Sequence, residues 1–254
     1  MATLFISDLH LEAGRAEIGE QFLDFLEDEA ADAEALYILG DFFEYWVGDD
    51  DPDEYYAAVK RSLRAFTDTG VPVYFIHGNR DFMIGERFAA ETGVTILPDP
   101  CPLELYGKSV LLSHGDALCT DDAEYQQMRA MTRNPEWQAM MLAKPLEERL
   151  AIAKQARARS QARNATLSEE IMDVNPDAVS RIISEYGVEI LLHGHTHRPG
   201  IHNVEVDDRI AKRVVLGDWY DQGSVVRWDE DGVDLSPIPR QADPNETGTG
   251  DPAP

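Results

Sequence analysis

Short apolar runs alternate with longer amphipathic segments along the first half of the chain. The runs at 3–7, 35–39 and 71–76 are each followed by polar residues or Gly, a pattern typical of buried strands that end in turns. Between these strands, apolar residues recur at helical spacing over 17–31, and a second helix is expected from near Pro52 to Gly70. The alternation predicts an α/β fold in which helices cover the faces of a sheet.

The second half of the chain adds further strands on either side of a helical insert. A hairpin turn is expected at Gly107-Lys108, and residues 122–165 are predicted to form consecutive helices broken at two prolines. A further helix is predicted from about Pro176 to Tyr186. The strands expected in this half are 94–97, 101–106, 109–112, 188–192, 202–206, 213–216 and 224–228.

Length and composition limit the class of protein. The 254 residues suffice for one large domain, which we place at 1–240 with a helical lid inserted at about 121–168. Residues 241–254 lack apolar periodicity and are expected to form a disordered acidic tail. No apolar stretch is long enough to span a membrane, and no basic and apolar leader precedes Asp8. We therefore expect a cytoplasmic protein with its two Cys residues reduced.

The charge of the chain excludes one class of partner and singles out one segment. A formal net charge of −26 argues against sequence-independent binding to nucleic acid, which needs many basic residues to neutralise phosphates. Against this acidic background, the segment from Arg149 to Leu167 has five basic residues and no acid. It is interpreted either as a solvated helix face or as a site for an anionic ligand.

Ligand-type side chains follow five of the predicted strands. Each one alone would be interpreted as a turn or cap residue, but the coincidence recurs along the chain with Gly beside it. Open α/β sheets bind ligands at the carboxyl ends of their strands, so we expect these side chains to converge. They are Asp8, His10, Asp41, Asn79, His114, His195 and His197.

The chemistry of this set indicates a metal centre. It contains no thiolate, which argues against a structural zinc site. Carboxylate, amide and imidazole ligands together suit manganese, iron(II) or zinc. Seven ligands are too many for one catalytic ion that must keep open positions, so two ions roughly 3.5–4 Å apart are expected. Asp41 is the candidate for the carboxylate that both ions share.

Five ordered blocks between residues 8 and 197 resemble the calcineurin-like metallophosphoesterases. The blocks are Asp-x-His at 8–10, Gly-Asp at 40–41, Gly-Asn-Arg-Asp at 78–81, Ser-His-Gly-Asp at 113–116 and Gly-His-Thr-His at 194–197. Within that superfamily the chain is similar to the bacterial UDP-2,3-diacylglucosamine pyrophosphohydrolases of lipid A biosynthesis. This closer likeness is carried by LFISDLHL, YILGDFFEYWVGDD, YFIHGNRDF, LCTDD, IMDVN and HGHTHRP, and extends from residue 1 to about 235.

The resemblance implies a four-layer α/β/β/α sandwich with a helical lid and two Mn²⁺ ions per chain. It assigns one ion to Asp8, His10, Asp41 and His197. It assigns the other ion to Asp41, Asn79, His114 and His195. In the implied reaction, a water activated by both ions attacks the uridine-side phosphorus of UDP-2,3-diacylglucosamine, which releases UMP and 2,3-diacylglucosamine 1-phosphate (lipid X).

The resemblance also implies which side chains contact the substrate. Catalytic roles carry over to Asn79, Arg80, His114 and His195. The implied substrate contacts are Asn79, Arg80, Asp122, Ser160, Asn164, Leu167 and His195. One position departs from the family pattern, because Leu167 stands where a Lys is expected. Either Arg163 replaces that Lys, or one phosphate contact is missing.

The lid sequence suits a substrate that is lipid at one end. Four of the seven Met residues lie within 128–146, and Met adapts to irregular apolar surfaces such as an acyl-chain groove. An ordinary helix-helix core explains the same residues, and only the basic segment that follows them favours a groove with a charged rim. The same pairing predicts peripheral contact with the anionic cytoplasmic face of the inner membrane. We expect a monomer.

Two other functions stay open at this point. The first is the same dinuclear-metal chemistry on a soluble phosphodiester or nucleotide pyrophosphate, which would need no apolar groove. The second is a non-catalytic scaffold on the same fold. A scaffold need not retain every metal ligand, whereas all seven are present here.

Overall fold

The computed structural model describes residues 1–164 and 171–240, except for the side chain of Asn164. The strands are Thr3–Ile6 (β1), Ala35–Ile38 (β2), Val73–Ile76 (β3), Thr95–Leu97 (β4), Cys101–Leu105 (β5), Lys108–Leu112 (β6), Ile190–His193 (β7), Gly200–Val206 (β8), Arg209–Val215 (β9), Gly223–Asp229 (β10) and Gly232–Ile238 (β11). The α-helices are Ala16–Asp24 (α1), Glu54–Thr67 (α2), Glu86–Thr92 (α3), Ala123–Thr132 (α4), Pro135–Leu142 (α5), Leu146–Asn164 (α6) and Pro176–Tyr186 (α7).

The strands form two sheets. The first has the order β11-β10-β1-β2-β3-β4, and the second has the order β5-β6-β7-β9-β8. Strands β1 to β4 are parallel to one another, as are β6, β7 and β9, while the outer hairpin strands are antiparallel. The carboxyl ends of β1, β2 and β3 therefore meet at one edge of the first sheet, and those of β6 and β7 meet at one edge of the second.

Alternation along the strands builds four layers. In β1, Leu4 and Ile6 pack with the helices α1, α2 and α3, whereas Phe5 faces the second sheet. In β7, Leu191 packs against α7, and the residues on either side of it face the first sheet. Strands buried on both faces are apolar throughout, which explains the continuous runs in the sequence. The predicted α/β/β/α sandwich is confirmed.

Helix boundaries agree with prediction where the capping residues are strong. Helix α7 begins after Asn175, whose side chain accepts a hydrogen bond from the backbone N–H of Ala178, and Pro176 occupies its first turn. It ends at Gly187, whose φ of 65° is the left-handed conformation common at helix C-termini. The prediction of a helix from Pro176 to Tyr186 is confirmed.

Other local predictions need correction. The hairpin turn lies at Tyr106 and Gly107, one residue before the predicted Gly107-Lys108, because both residues adopt positive φ as a two-residue turn requires. The helix expected over 17–31 ends its α-helical part at Asp24 and continues as a π-helical turn. Strand β11 was not predicted. Leu167 and the proposed tail, 241–254, lie outside the described residues.

Helices α4, α5 and α6 follow one another between β6 and α7, and Arg133 and Arg157 from this region contact Gly78 and Glu44 on the loops that carry the ligands. Helix α6 is tied to the core near its start by Arg149, which is 3% exposed and donates hydrogen bonds to the Val47 carbonyl and to Asp50. Within the described part of the chain, no helix combines the length and the apolar character needed to cross a membrane. The lid bounds of about 121–168 stay a prediction.

Candidate dinuclear metal centre

The loops after β1, β2 and β3 are in close backbone contact. The Asp8 N–H donates to the Gly40 carbonyl at 3.0 Å, and the His10 N–H donates to the Asp41 carbonyl at 3.0 Å. A Cβ atom on Gly40 would lie 2.4 Å from the backbone nitrogen of Gly78. Only glycine permits this approach, so the motif glycines bring the ligand loops together.

The ligand residues adopt a strained backbone. Five of the seven predicted metal ligands have positive φ, a region that residues with a Cβ atom seldom occupy. Such strain concentrates at functional sites, where the surrounding structure holds it in place. The five are Asp8 (58°), His10 (53°), Asp41 (50°), His195 (68°) and His197 (55°).

The predicted ligands come together as two adjacent groups. Asp8, His10 and His197 form one group, and Asp41, His114 and His195 form the other. In each group, the potential ligand atoms lie within 4.8 Å of one another.

Two further contacts complete this arrangement. The Asp41 Oδ2 atom lies 4.0 Å from His10 Nε2, and its Oδ1 atom lies 3.6 Å from His114 Nε2, so the carboxylate reaches both groups. The Asn79 Oδ1 atom lies 3.0 Å from His114 Nε2, which adds the amide to the second group. All seven predicted ligands are therefore in one place, with Asp41 between two candidate metal sites.

The first group fits a divalent ion. The Nε2 atoms of His10 and His197 face each other at 3.3 Å, and the Asp8 Oδ1 atom lies 3.3 Å from His197 Nε2. The Asp8 side chain is fully buried, and this oxygen faces the imidazoles of His197 and His10. Buried carboxylates are normally paired or bound to metal. Oxygen and imidazole donors that converge in this way suit a first-row divalent metal.

Outer contacts orient two of the imidazoles. His114 Nδ1 is 2.8 Å from the Leu39 carbonyl oxygen, and His197 Nδ1 is 2.9 Å from Asp218 Oδ2. A ring whose Nδ1–H is donated in this way presents an unprotonated Nε2 to a metal. Both Nε2 atoms point toward the shared centre.

Electrostatics in the centre favour a cation. Burial would raise the pKa of Asp8, but hydrogen bonding and charge from His197 outweigh burial and lower the pKa. Burial would lower the pKa of His197, but hydrogen bonds to Asp218 and Asp8 outweigh it and raise the pKa to about 10. Burial and the neighbouring His114 lower the pKa of His195 to about 4, so this ring is neutral at pH 7. The carboxylates thus stabilise a proton on His197, which an incoming divalent ion would displace.

The predicted substrate contacts lie around one cavity of about 780 Å³. Asn79, Arg80, Asp122, Ser160 and His195 all line it. Asp122 also caps helix α4 through the Tyr125 N–H and accepts hydrogen bonds from Arg163. The Asn164 side chain and Leu167 lie outside the described residues. The roles of these residues stay predictions, although the cavity brings the described ones together.

An apolar branch of about 250 Å³ adjoins the cavity beneath the lid. Its polar lining includes Arg80 and Ser160, which also line the larger cavity. Its apolar lining consists mainly of aromatic and Met side chains from the core and the lid helices. These are Trp46, Phe82, Met83, Met128, Met131, Trp137, Met141 and Ile152.

The basic segment of α6 faces acids of the same chain. Arg157 pairs with Glu44, and Arg159 donates a hydrogen bond to Glu124 at 2.7 Å. Arg163 pairs with Asp122 and Glu124. The sequence left open a solvated helix face or a site for an anionic ligand, and the structure adds that acids outside the segment lie against Arg157, Arg159 and Arg163.

Three residues near the centre were missed by the sequence analysis. Asp218 orients His197 and follows strand β9 in a Gly-Asp pair, the same signal that identified Asp41. Tyr125 donates its hydroxyl to the buried Asp116 and stacks on His195, with ring centroids 5.8 Å apart. Glu44 follows Asp41 in an aromatic stretch and contacts His10. Only the Asp218 pattern was visible in the sequence.

Comparison with known proteins agrees with this geometry. The family model described as calcineurin-like phosphoesterase matches residues 1–199. The chain is 52% identical to a UDP-2,3-diacylglucosamine hydrolase of Stenotrophomonas maltophilia over 248 residues, which cover 95% of this chain and 100% of that protein. It is 54% identical to a protein of the same name from Xanthomonas oryzae pv. oryzae over 242 residues, which cover 92% and 98% of the two chains. The chain therefore belongs to the calcineurin-like phosphoesterase family.

Proposed function

We propose that the protein hydrolyses the pyrophosphate bond of UDP-2,3-diacylglucosamine to UMP and 2,3-diacylglucosamine 1-phosphate, with two Mn²⁺ ions at the centre. The observation that carries this proposal is the cavity, which is lined at one end by four of the seven converged ligands, Asp41, Asn79, His195 and His197, and adjoins an apolar wall beneath the lid. The name shared by the two relatives described above supports the same substrate. Its pyrophosphate would lie at the ligands, and its acyl chains would lie against the apolar wall.

The ligand set determines how a pyrophosphate is attracted. When bound, the two ions would act as Lewis acids and activate water for in-line attack on phosphorus. Asp8 and Asp41 are the only charged members of the proposed ligand set, and Asn79 contributes an oxygen without charge. The centre therefore keeps a surplus of positive charge that draws in the anionic substrate.

Arg80 is placed to neutralise the charge that develops on phosphate oxygens. Its Nε atom lies 3.8 Å from Asp41 Oδ2, and its side chain is 18% exposed and lines both cavities. Its Nη1 atom donates to Glu44 at 3.0 Å, which restricts the rotamer. A planar guanidinium held beside the metal centre can donate two parallel hydrogen bonds to a phosphoryl group.

The apolar branch supports a lipid substrate rather than a soluble one. Phe82 and Trp137 face each other there with ring centroids 6.1 Å apart, and flexible Met side chains complete the wall. Thioether side chains adapt to irregular apolar ligands such as acyl chains. A soluble nucleotide pyrophosphate would leave this surface without an apolar partner.

The lid also carries apolar side chains on its outer surface. Met140 is 55% exposed and Leu142 is 45% exposed, and neither side chain lines the two cavities. These exposed side chains support peripheral contact with the cytoplasmic face of the inner membrane, where the lipid substrate would be reached. We propose that the protein acts there as a monomer. Flotation with anionic vesicles tests this: Met140→Glu should reduce the bound fraction, and binding unchanged by that substitution would contradict the proposal.

Comparison of two substrates tests the proposed function. With Mn²⁺ present, the rate on UDP-2,3-diacylglucosamine should exceed that on UDP-glucosamine by at least about 100-fold, because the second lacks the chains that fill the apolar branch. In ¹⁸O-labelled water, the label should appear in UMP. Equal rates would favour a soluble substrate. No turnover of either compound would favour a non-catalytic scaffold, and label in the lipid product would contradict attack at the uridine-side phosphorus.

A further inference from the structure

Glu44 is a buried carboxylate at the junction of the metal centre and the lid. It lies on the loop after β2 and is 8% exposed. Its backbone N–H donates to the Leu11 carbonyl at 3.1 Å, which fixes it beside the segment that carries His10. Its side chain contacts a predicted metal ligand, the arginine proposed for catalysis and a lid arginine, namely His10, Arg80 and Arg157.

The contact with His10 bears on metal binding. Glu44 Oε2 lies 3.3 Å from His10 Nδ1, while His10 Nε2 lies 4.0 Å from both Asp8 Oδ1 and Asp41 Oδ2. A carboxylate beside Nδ1 favours the tautomer in which Nδ1 carries the proton and Nε2 is free to bind a metal. The 3.3 Å contact joins two buried atoms that have no other hydrogen-bond partner among the described residues, so each is the nearest polar group available to the other. The contact between Asp218 and His197 Nδ1 is shorter, at 2.9 Å.

The contacts with the two arginines bear on the substrate. Glu44 Oε1 accepts a hydrogen bond from Arg80 Nη1 at 3.0 Å and another from Arg157 Nε. One carboxylate therefore faces two guanidinium groups, and all three residues line the apolar branch. Arg157 belongs to α6, so this contact also joins the lid to the loop beside the centre.

We propose that Glu44 is a positioning residue that couples the lid to the metal centre. It holds His10 in its metal-binding tautomer and keeps Arg80 and Arg157 together beside the apolar branch, which shares Arg80 with the larger cavity. The part that concerns the arginines rests on the proposed function, because it assumes a phosphate-bearing substrate. The part that concerns His10 rests only on the two candidate metal sites.

Manganese titration of the metal-free protein tests the proposal without any substrate. In Glu44→Gln, the amide keeps the shape of the side chain but no longer offers a charged acceptor to His10. The affinity of one Mn²⁺ site should fall about 10- to 100-fold. The affinity of the second site should stay within about twofold, because Glu44 does not contact Asn79, His114 or His195 in the described structure.

Asp50→Asn is the matched control. Asp50 pairs with Arg149, so it also joins α6 to the loop after β2, but its ion-pair partner is a lid residue and not a metal ligand. This variant should bind both Mn²⁺ ions with wild-type affinity. Unchanged affinities in Glu44→Gln, or an equal loss at both sites with a lower thermal midpoint, would overturn the proposal. If Glu44→Gln loses affinity at one Mn²⁺ site as predicted, but the wild-type protein does not hydrolyse the lipid substrate, the proposed function alone would be contradicted.

Discussion

Replacing His114 by Ala should reduce kcat/KM for manganese-dependent hydrolysis by about 1000-fold, which corresponds to several kcal/mol of lost metal-ion catalysis. The side chain is fully buried, and its Nε2 atom lies 3.0 Å from Asn79 Oδ1 and 3.6 Å from Asp41 Oδ1. It therefore occupies the middle of the second ligand group. Asn79→Ala, which removes the neighbouring amide oxygen, should have a similar effect. Initial rates on UDP-2,3-diacylglucosamine at saturating Mn²⁺ provide the measurement.

His202→Ala is the control for this prediction. His202 is an exposed residue on strand β8 that lines neither cavity and belongs to neither ligand group, so its removal should leave kcat/KM within about twofold of wild type. Full activity in His114→Ala would contradict the placement of a metal ion in the second group. Equal losses in both variants would point to a general effect on folding.

Replacing Arg80 by Ala should lower kcat by about 100- to 1000-fold, as expected for a donor that acts on charge developed in the transition state. KM should change much less, because the acyl chains would still be held by the apolar branch. Arg80→Lys should recover only part of the rate, since an ammonium group keeps the charge but cannot reproduce the planar pair of donors. Steady-state kinetics over a range of substrate concentrations separates the two parameters.

Arg87→Ala is the control for Arg80→Ala, because it removes an arginine that lies away from the metal centre. Arg87 is 62% exposed and pairs with Glu91 on helix α3, an exposed pair of the kind that contributes little to stability. Its removal should change neither kcat nor KM by more than about twofold. An effect of Arg80→Ala confined to KM would contradict the proposed role and indicate ordinary substrate binding.

The fold and the ligand set were predictable because their signals are local in sequence. Strands β1, β2 and β3 are buried on both faces, so each appears as a continuous apolar run. Parallel strands bring their carboxyl ends to one edge, so the residues after each run had to be neighbours. The convergence of Asp8, Asp41 and Asn79 follows from those two facts.

The partners of the ligands were less accessible from sequence. The contacts of Glu44 with Arg80 and Arg157 join residues 36 and 113 positions apart, and no periodicity relates them. The turn at Tyr106 was misplaced because tyrosine seldom adopts positive φ, and the usual sequence preference favours Asn or Asp at that position. Acid–base pairing across the lid depends on side-chain geometry that the sequence pattern does not contain.

Anomalous diffraction from crystals soaked in Mn²⁺ tests most directly whether two divalent ions bind together among these strand-end ligands. If they do, two manganese peaks should appear roughly 3.5–4 Å apart. One peak should lie among Asp8, His10 and His197, and the other among Asn79, His114 and His195, with Asp41 between them. A single peak, or manganese bound only away from these side chains, would contradict the dinuclear centre.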